Sequence, residues 1–563
     1  MAYRSLLTVI TVLWYSRGSL AEPEVITRTG VISGTSIITR RGRGVFAFRG
    51  IPYAKAPIGA LRFRSPEPAE PWDGIFRANE DPVPCPQVSD DGDIIGNEDC
   101  LKLSVYTPRI DLADLLPVMV FIHGGAFVRG DISSSSLAPD FLLDHDIILV
   151  AMQYRLTALG FISTGDEVAP GNFGLKDQLL ALRWVQENIE NFGGDPGRVT
   201  LFGQSAGSVS VNLHVLSSQS RGLFHQFIGQ SGSALCPWAF EDSTTYKDYS
   251  FSLGRNLGCP TTTSKELIDC LRNVDVGMLI NDYNGFDDFR KETAITWIPT
   301  REPPGNDAFL TDLPINLILD GNLADLPNIS GVVKNEGLIV TLMLYANSTL
   351  YDYFLGDVES LMTRLSSSFL IDSRASRLAA DVKNFYISGI DEKNKTQILS
   401  AITDIISDSL FLFPQILQLQ LATKKLTSPH YYYSFEYRGT FSKTAIILKN
   451  NENIGVTHAD ELIYIFPVNY TIFGVEEDSL SEEDHKMIDI ITELWTSFAI
   501  NGVPTTSYAE RSDLWETYND ETNAHLVIGS GPQARVDLLH HFLEPRMHFW
   551  AMEILKLLLF NGR

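Results

Sequence analysis

A serine between small residues sits where a strand has to turn sharply into a helix. Val199-Thr200-Leu201-Phe202 is a short β-branched and aromatic run that reads as a buried strand, and Ser208 to Leu213 continues as a helix packed on it. Between them lies Gly203-Gln204-Ser205-Ala206-Gly207. A turn this tight needs glycines on both sides, because its backbone is strained and the helix must pass close to the strand. Glycine-serine patterns recur by chance in ordinary loops. The strand before and the helix after give this one the context of a nucleophile presented at the end of a sheet.

The rest of the chain supplies that sheet. Val118 to Ile122, Ile147 to Met152, Val199 to Phe202 and Phe224 to Gly229 read as buried strands. Between the second and third, Leu175 to Phe192 repeats apolar residues at helical spacing through Leu179, Leu182, Trp184, Val185 and Ile189. Strand–helix alternation predicts an α/β protein with a large, mostly parallel sheet flanked by helices. Ile329 to Val333 and Tyr431 to Tyr437 extend it, and the helix-rich stretch from Thr341 to Leu426 reads as an insertion capping one end. No repeat or low-complexity linker divides the chain, so residues 22–563 are expected to form a single domain.

Composition narrows the function classes. With 44% hydrophobic and 20% charged residues the chain can bury a large core. Its net charge of −25 disfavours nucleic acid and anionic membrane as partners, since both select basic patches. At the N-terminus Arg4, the apolar run Leu6 to Tyr15 and the small-residue site Ser19-Leu20-Ala21 read as a signal peptide over residues 1–21. Phe549 to Phe560 is apolar but broken by Glu553 and Lys556, which suits an amphipathic terminal helix and gives no membrane anchor. The mature chain is therefore expected to be secreted, beginning near Glu22.

Export agrees with the cysteines. Cys85 and Cys100, and Cys259 and Cys270, bracket short loops suited to disulfides, leaving Cys236 as a buried thiol. Their spacing fits no zinc pattern, and neither metal nor cofactor is expected. Sequons at Asn328, Asn347, Asn394 and Asn469 are candidates for glycosylation on surface loops.

A serine nucleophile needs a base, and the base an orienting acid. Glu336, in Asn335-Glu336-Gly337 directly after the Ile329 to Val333 run, is the candidate acid. Among the later histidines only His458 lies in a glycine-led loop, Gly455-Val456-Thr457-His458, placed just beyond a strand and before a new apolar run. The developing oxyanion needs backbone donors. His123-Gly124-Gly125-Ala126-Phe127 follows the Val118 to Ile122 strand, so Gly125, Ala126 and Ala206 are the candidate donors. A second serine, Ser231 in Gly229-Gln230-Ser231-Gly232-Ser233, misses the pattern at its fifth position and reads as a hydrogen-bond partner of Glu336.

On these residues the chain resembles the type-B carboxylesterase/cholinesterase family of α/β-hydrolases. Further matches are Phe48-Arg49-Gly50-Ile51-Pro52-Tyr53-Ala54, Arg62-Phe63, Glu98-Asp99-Cys100-Leu101, the run Asn172 to Gln178 and Asn191-Phe192-Gly193-Gly194-Asp195-Pro196. The resemblance implies a secreted serine esterase using Ser205, Glu336 and His458, with a deep gorge at the carboxyl ends of the strands. Two departures speak against a cholinesterase: Gln204 stands where those enzymes carry Glu, and the 85–100 loop contains no Trp to hold a choline cation. Within the family, Arg62-Phe63, Asp177-Gln178, the 203–207 run, Glu336 and Gly455, His458 and Glu461 together resemble the insect juvenile hormone esterases, Gln204 being the residue among them that other esterases do not share. The expected partner is a small apolar ester. A broad-specificity esterase of detoxification, odorant or venom type is the alternative, and a non-catalytic adhesion or binding protein is the alternative from another class.

Overall fold

A computed structural model describes residues 22–559 except 90, 283–295, 348–350, 352–373, 392, 451, 468–478 and 512. Eleven strands form its main sheet. In chain order they are β1 (Thr35–Ile38), β2 (Gly44–Pro52), β3 (Lys102–Thr107), β4 (Leu116–Ile122), β5 (Ile148–Met152), β6 (Gly194–Gln204), β7 (Gln226–Gln230), β8 (Asn328–Val333), β9 (His430–Tyr437), β10 (His525–Gly531) and β11 (Gln533–Leu539). Their order across the sheet is β11-β10-β9-β8-β7-β6-β4-β5-β3-β2-β1. From β5 through β10 every neighbouring pair is parallel. The two edges, β5-β3-β2-β1 and β10-β11, are antiparallel.

The central strands are apolar at consecutive positions because both faces are covered. Every residue of β4, β5, β7 and β8 is buried. One face packs against α1 (Phe173–Asn188) and α2 (Ala206–Leu216), through Leu175, Leu179, Leu182 and Val185 of α1. The other packs on α7 (Glu482–Asn501), which presents Met487, Ile491, Leu494, Trp495 and Phe498 to Phe202, Ile228 and Tyr433. A capping box at Ser481 and Asp484 starts α7, and Gly502 at φ 73° ends it.

The helix-rich stretch expected between β8 and β9 holds, among the described residues, α3 (Leu338–Ala346), α4 (Arg374–Tyr386), α5 (Lys395–Ser407) and α6 (Phe413–Thr423). A π-turn, Asp408–Leu412, joins α5 to α6. The chain closes with α8 (Glu544–Leu559), the terminal helix expected from Phe549 onward but starting five residues earlier. The antiparallel edge strands were not expected. β2 and β11 run for nine and seven residues but mix buried and exposed positions without a clean two-residue period.

Motif residues outside the site act as ties. The Arg62 guanidinium is paired with Glu98 at 2.6 Å and also donates to the carbonyl oxygens of Leu271, Arg272 and Val274. Arg155 makes a forked pair with Asp177 of α1, both buried. Removing one partner of such a pair strands a buried charge, at a cost of about 3–5 kcal/mol. The expected bridges Cys85–Cys100 and Cys259–Cys270 are formed, and Cys236 is a buried free thiol.

The sequons separate by burial. Asn347 and Asn394 are exposed, the latter capping α5 through the Gln397 N–H. Asn328 corrects the expectation of a surface loop. It begins β8 at 4% exposure, with its Oδ1 on His430, so a parallel core strand encloses it. Asn469, like residues 1–21, read as a signal peptide from the sequence, lies outside the described residues.

Candidate active site

Two strand ends and a docked loop bring Ser205, Glu336 and His458 together. Ser205 leaves the end of β6 at φ 58°, ψ −124°, a conformation costing a non-glycine residue on the order of 1–3 kcal/mol. Its N–H is anchored to Gln230 O of β7 at 2.8 Å. The flanking glycines are required by contact. A Cβ on Gly207 would lie 2.0 Å from Ile122 O, and one on Gly203 2.6 Å from the Gly207 backbone. The α2 helix then runs back along the sheet from Ala206.

Glu336 is carried by the turn after β8 and is fully buried. One carboxylate oxygen accepts the Val333 N–H at 2.9 Å, and the other accepts from His458 Nδ1 at 2.5 Å. The His458 loop is docked on the same turn: Asn335 N–H donates to Val456 O at 3.0 Å, and Val456 N–H to Asn335 Oδ1 at 3.1 Å. The expected strand just before this loop is not there among the described residues. The closest element before it is the short helix Thr444–Leu448, and a single bridge between Asn335 and Thr457 replaces strand pairing. Asp460 shapes the loop by accepting the Thr457 and Lys443 N–H groups.

With Nδ1–H donated to Glu336, Nε2 of His458 holds the lone pair and points toward the elbow. Gln204 Nε2 donates to it at 3.1 Å. Gln204 had been singled out for its identity, and its contact with His458 is what the fold adds. The imidazole is also packed by Phe411 of the π-turn, with ring centroids 4.9 Å apart. Phe411 was not anticipated, since nothing in an apolar helical run marks which residue faces a histidine.

Behind this pair lies a second buried carboxyl. Glu461 accepts from Gln230 Nε2 at 3.2 Å through one oxygen, and its other oxygen has no partner among the described residues. Burial, and then the charge of nearby Glu336, pushes its pKa up to about 8, so the carboxyl holds its proton at neutral pH. Burial likewise pushes the Cys236 thiol up to about 12, which keeps it unreactive.

Ser231 is corrected. Its buried hydroxyl makes no hydrogen bond among the described residues, while its N–H donates to Gly331 O. The Glu336 oxygens are already taken by Val333 and His458.

The 123–127 loop passes beside the elbow. A Cβ on Gly124 would meet Gln204 O at 2.6 Å and Ser205 Cβ at 3.0 Å. Gly125, Ala126 and Phe127 all take positive φ, and the Gly125 carbonyl accepts from Val128 and Arg129. Among the described residues no acceptor takes the N–H of Gly125, Ala126 or Ala206. A cavity of about 430 Å³, lined by His214, Arg221, His225 and Asp325, lies at the far end of α2, away from Ser205. No group of three or more His, Cys, Asp or Glu side chains suited to a metal occurs among the described residues.

The chain is similar along most of its length to known proteins. The profile of the Carboxylesterase family matches residues 21–550. The chain is 37% identical to a juvenile hormone esterase of Tribolium castaneum, over 95% of this chain and 94% of that one. It is 36% identical to Esterase FE4 of Myzus persicae, over 88% and 86% of the two chains. It is 33% identical to an acetylcholinesterase of Bungarus fasciatus, over 92% and 84%.

Proposed function

The chain belongs to the carboxylesterase family, α/β-hydrolases that cleave carboxylic esters, and from that premise we propose that Ser205, Glu336 and His458 form its catalytic triad, acting on a long apolar ester of the juvenile-hormone type. The observation that carries the triad is the 2.5 Å contact of His458 Nδ1 with buried Glu336, which leaves Nε2 toward the serine elbow.

The reaction runs as acyl transfer. His458 Nε2 takes the proton of Ser205 Oγ as that oxygen attacks the ester carbonyl carbon. In doing so the serine hydroxyl takes over the lone pair that Gln204 engages in the free enzyme. Negative charge moves onto the carbonyl oxygen, where the N–H groups of Gly125, Ala126 and Ala206 receive it. Glu336 stabilises the imidazolium, which returns the proton to the leaving alcohol and frees it. Water then repeats the sequence on the acyl-enzyme and restores Ser205.

Two features support the apolar substrate. Gln204 is neutral, so no carboxylate stands beside the nucleophile to attract a cation, and the 85–100 loop carries no Trp. Burying a long terpenoid chain contributes about 25 cal/mol per Å² of apolar area before binding costs. The competing reading, a broad-specificity esterase, is supported by the near-equal identity to Esterase FE4. Export is part of the proposal: residues 1–21 act as a signal peptide, and the family profile begins only at residue 21.

The test is a substrate panel. Comparing kcat/KM for a sesquiterpenoid methyl ester, a short naphthyl ester and acetylthiocholine should place the methyl ester first and the cation last. Equal turnover of the methyl and naphthyl esters would leave ester hydrolysis standing and remove the hormone-type reading. N-terminal sequencing of protein from the medium of expressing insect cells should begin near Glu22.

A further inference from the structure

The π-turn Asp408–Leu412 touches both halves of the acid–base pair. Just before it, Ser407 Oγ accepts the N–H of Gly337, the residue after Glu336, at 2.8 Å. Within it, Phe411 packs on the His458 ring at 4.9 Å and on Trp238 at 5.4 Å, and Trp238 Nε1 donates to Leu410 O at 2.9 Å. A π-turn is an energetically poor way to continue a helix, and one that persists is held by its surroundings.

The holding group comes from the end of the chain. Asp408, fully buried, receives a forked pair from Arg546 of α8, Nε to Oδ2 and Nη2 to Oδ1, both at 2.5 Å. Tyr386 of α4 donates to the same carboxylate at 2.5 Å, and Trp550, one turn beyond Arg546, donates to the Tyr386 hydroxyl at 2.8 Å. A second carboxylate, Asp404, lies 3.3 Å from Arg546. The fork fixes the orientation of the Asp408 carboxylate as a single hydrogen bond would not.

We propose that Arg546 is a positioning residue for the ester-hydrolysis site, acting through the Asp408 pair and the π-turn to press Phe411 against His458. When the latch is broken the π-turn relaxes toward ordinary helix, the following residues rotate about the axis, and the ring leaves the imidazole. The base then samples orientations in which Nε2 no longer faces Ser205. Small misplacements of a reacting group are expensive in rate and nearly free in binding. The inference rests on the reading of His458 as the base.

The experiment is a double-mutant cycle on the full-length enzyme with a short chromogenic ester, run well below the unfolding temperature of each variant. Phe411→Leu and Arg546→Ala should each lower kcat roughly tenfold, with KM within about twofold. The double variant should lose no more than the worse single one, because both changes break one chain of contacts. If Arg546→Ala does not fold, the charge-free pair Asp408→Asn with Arg546→Gln takes its place in the cycle. An unchanged kcat in Phe411→Leu, or losses that multiply in the double variant, would overturn the proposal. Turnover surviving His458→Ala would instead overturn the reading beneath it, which keeps the two failures apart.

Discussion

Gln204 donates its side-chain amide to Nε2 of His458 at 3.1 Å, so the residue before the candidate nucleophile occupies the lone pair of the candidate base. The contact makes the charge at position 204 a direct control on the imidazole. A carboxylate there would favour the imidazolium and raise the pH needed to free the base.

Gln204→Glu should therefore shift the acid limb of the kcat/KM profile upward by about one pH unit or more, with little change on the alkaline plateau. The sign follows from the cation being stabilised: more of the enzyme is protonated, hence inactive, at a given mildly acidic pH. A profile superimposable on that of the parent would mean the amide does not contact the base in solution.

Ser205→Ala should lower kcat by roughly a million-fold if the three residues act as a unit, and leave the unfolding temperature nearly unchanged. Glu336→Gln keeps the shape of the turn but removes the charge facing Nδ1, for an expected loss of about ten-thousand-fold. Peptide mapping after organophosphate treatment should find the label on Ser205. Label on Ser231 would move the nucleophile.

Gly124→Ala tests how closely the 123–127 loop approaches the elbow. Its new methyl would lie 2.6 Å from Gln204 O, and backbone cannot yield as a side-chain tip does. The loop must move away from Ser205, so kcat should fall about a hundredfold while circular dichroism stays unchanged. A variant of near-normal turnover would show that the loop contributes nothing to the reaction.

Glu461 links the site to pH-dependent stability. Its carboxyl, pushed up to about 8 by burial and by Glu336, titrates near ~4.3 in the unfolded chain. Between those values the folded state holds a proton that the unfolded state lacks, so stability falls as pH rises through that window. Glu461→Gln has no such proton. Its unfolding temperature relative to the parent should therefore climb from about pH 5 to about pH 8 and level off above, by an amount worth about 5 kcal/mol at most. A constant difference across that range would show Glu461 ionised throughout.

The two bridges close loops of 15 and 11 residues' separation, each worth about 3 kcal/mol in the chain-entropy picture. Reduction should lower the unfolding temperature markedly. A thiol reagent should find no reactive group in the native protein and one, Cys236, after unfolding without reductant. A rapidly modified native thiol would contradict the burial of Cys236.

Much of this was legible in the residues themselves. The buried strands, the helix Phe173–Asn188, the elbow at Ser205 and the turn carrying Glu336 are each declared within some ten to twenty residues, because periodicity and glycine placement are local properties. Composition and cysteine spacing are local in the same sense, and both disulfides follow from them. What only the folded chain decides is which side chains face one another. His458 meets Glu336 across 122 residues and Gln204 across 254, and Phe411 reaches the same ring from a helical run with no mark of its own. Burial is equally non-local: Asn328 reads as a surface sequon until a parallel neighbour covers it, and Ser231 reads as a partner of Glu336 until Val333 and His458 fill that carboxylate. A sequence specifies the direction and chemistry of each side chain along its own element. The distance between elements, and with it the contacts of His458 with Glu336 and Gln204, is set by how the sheet and its helices pack.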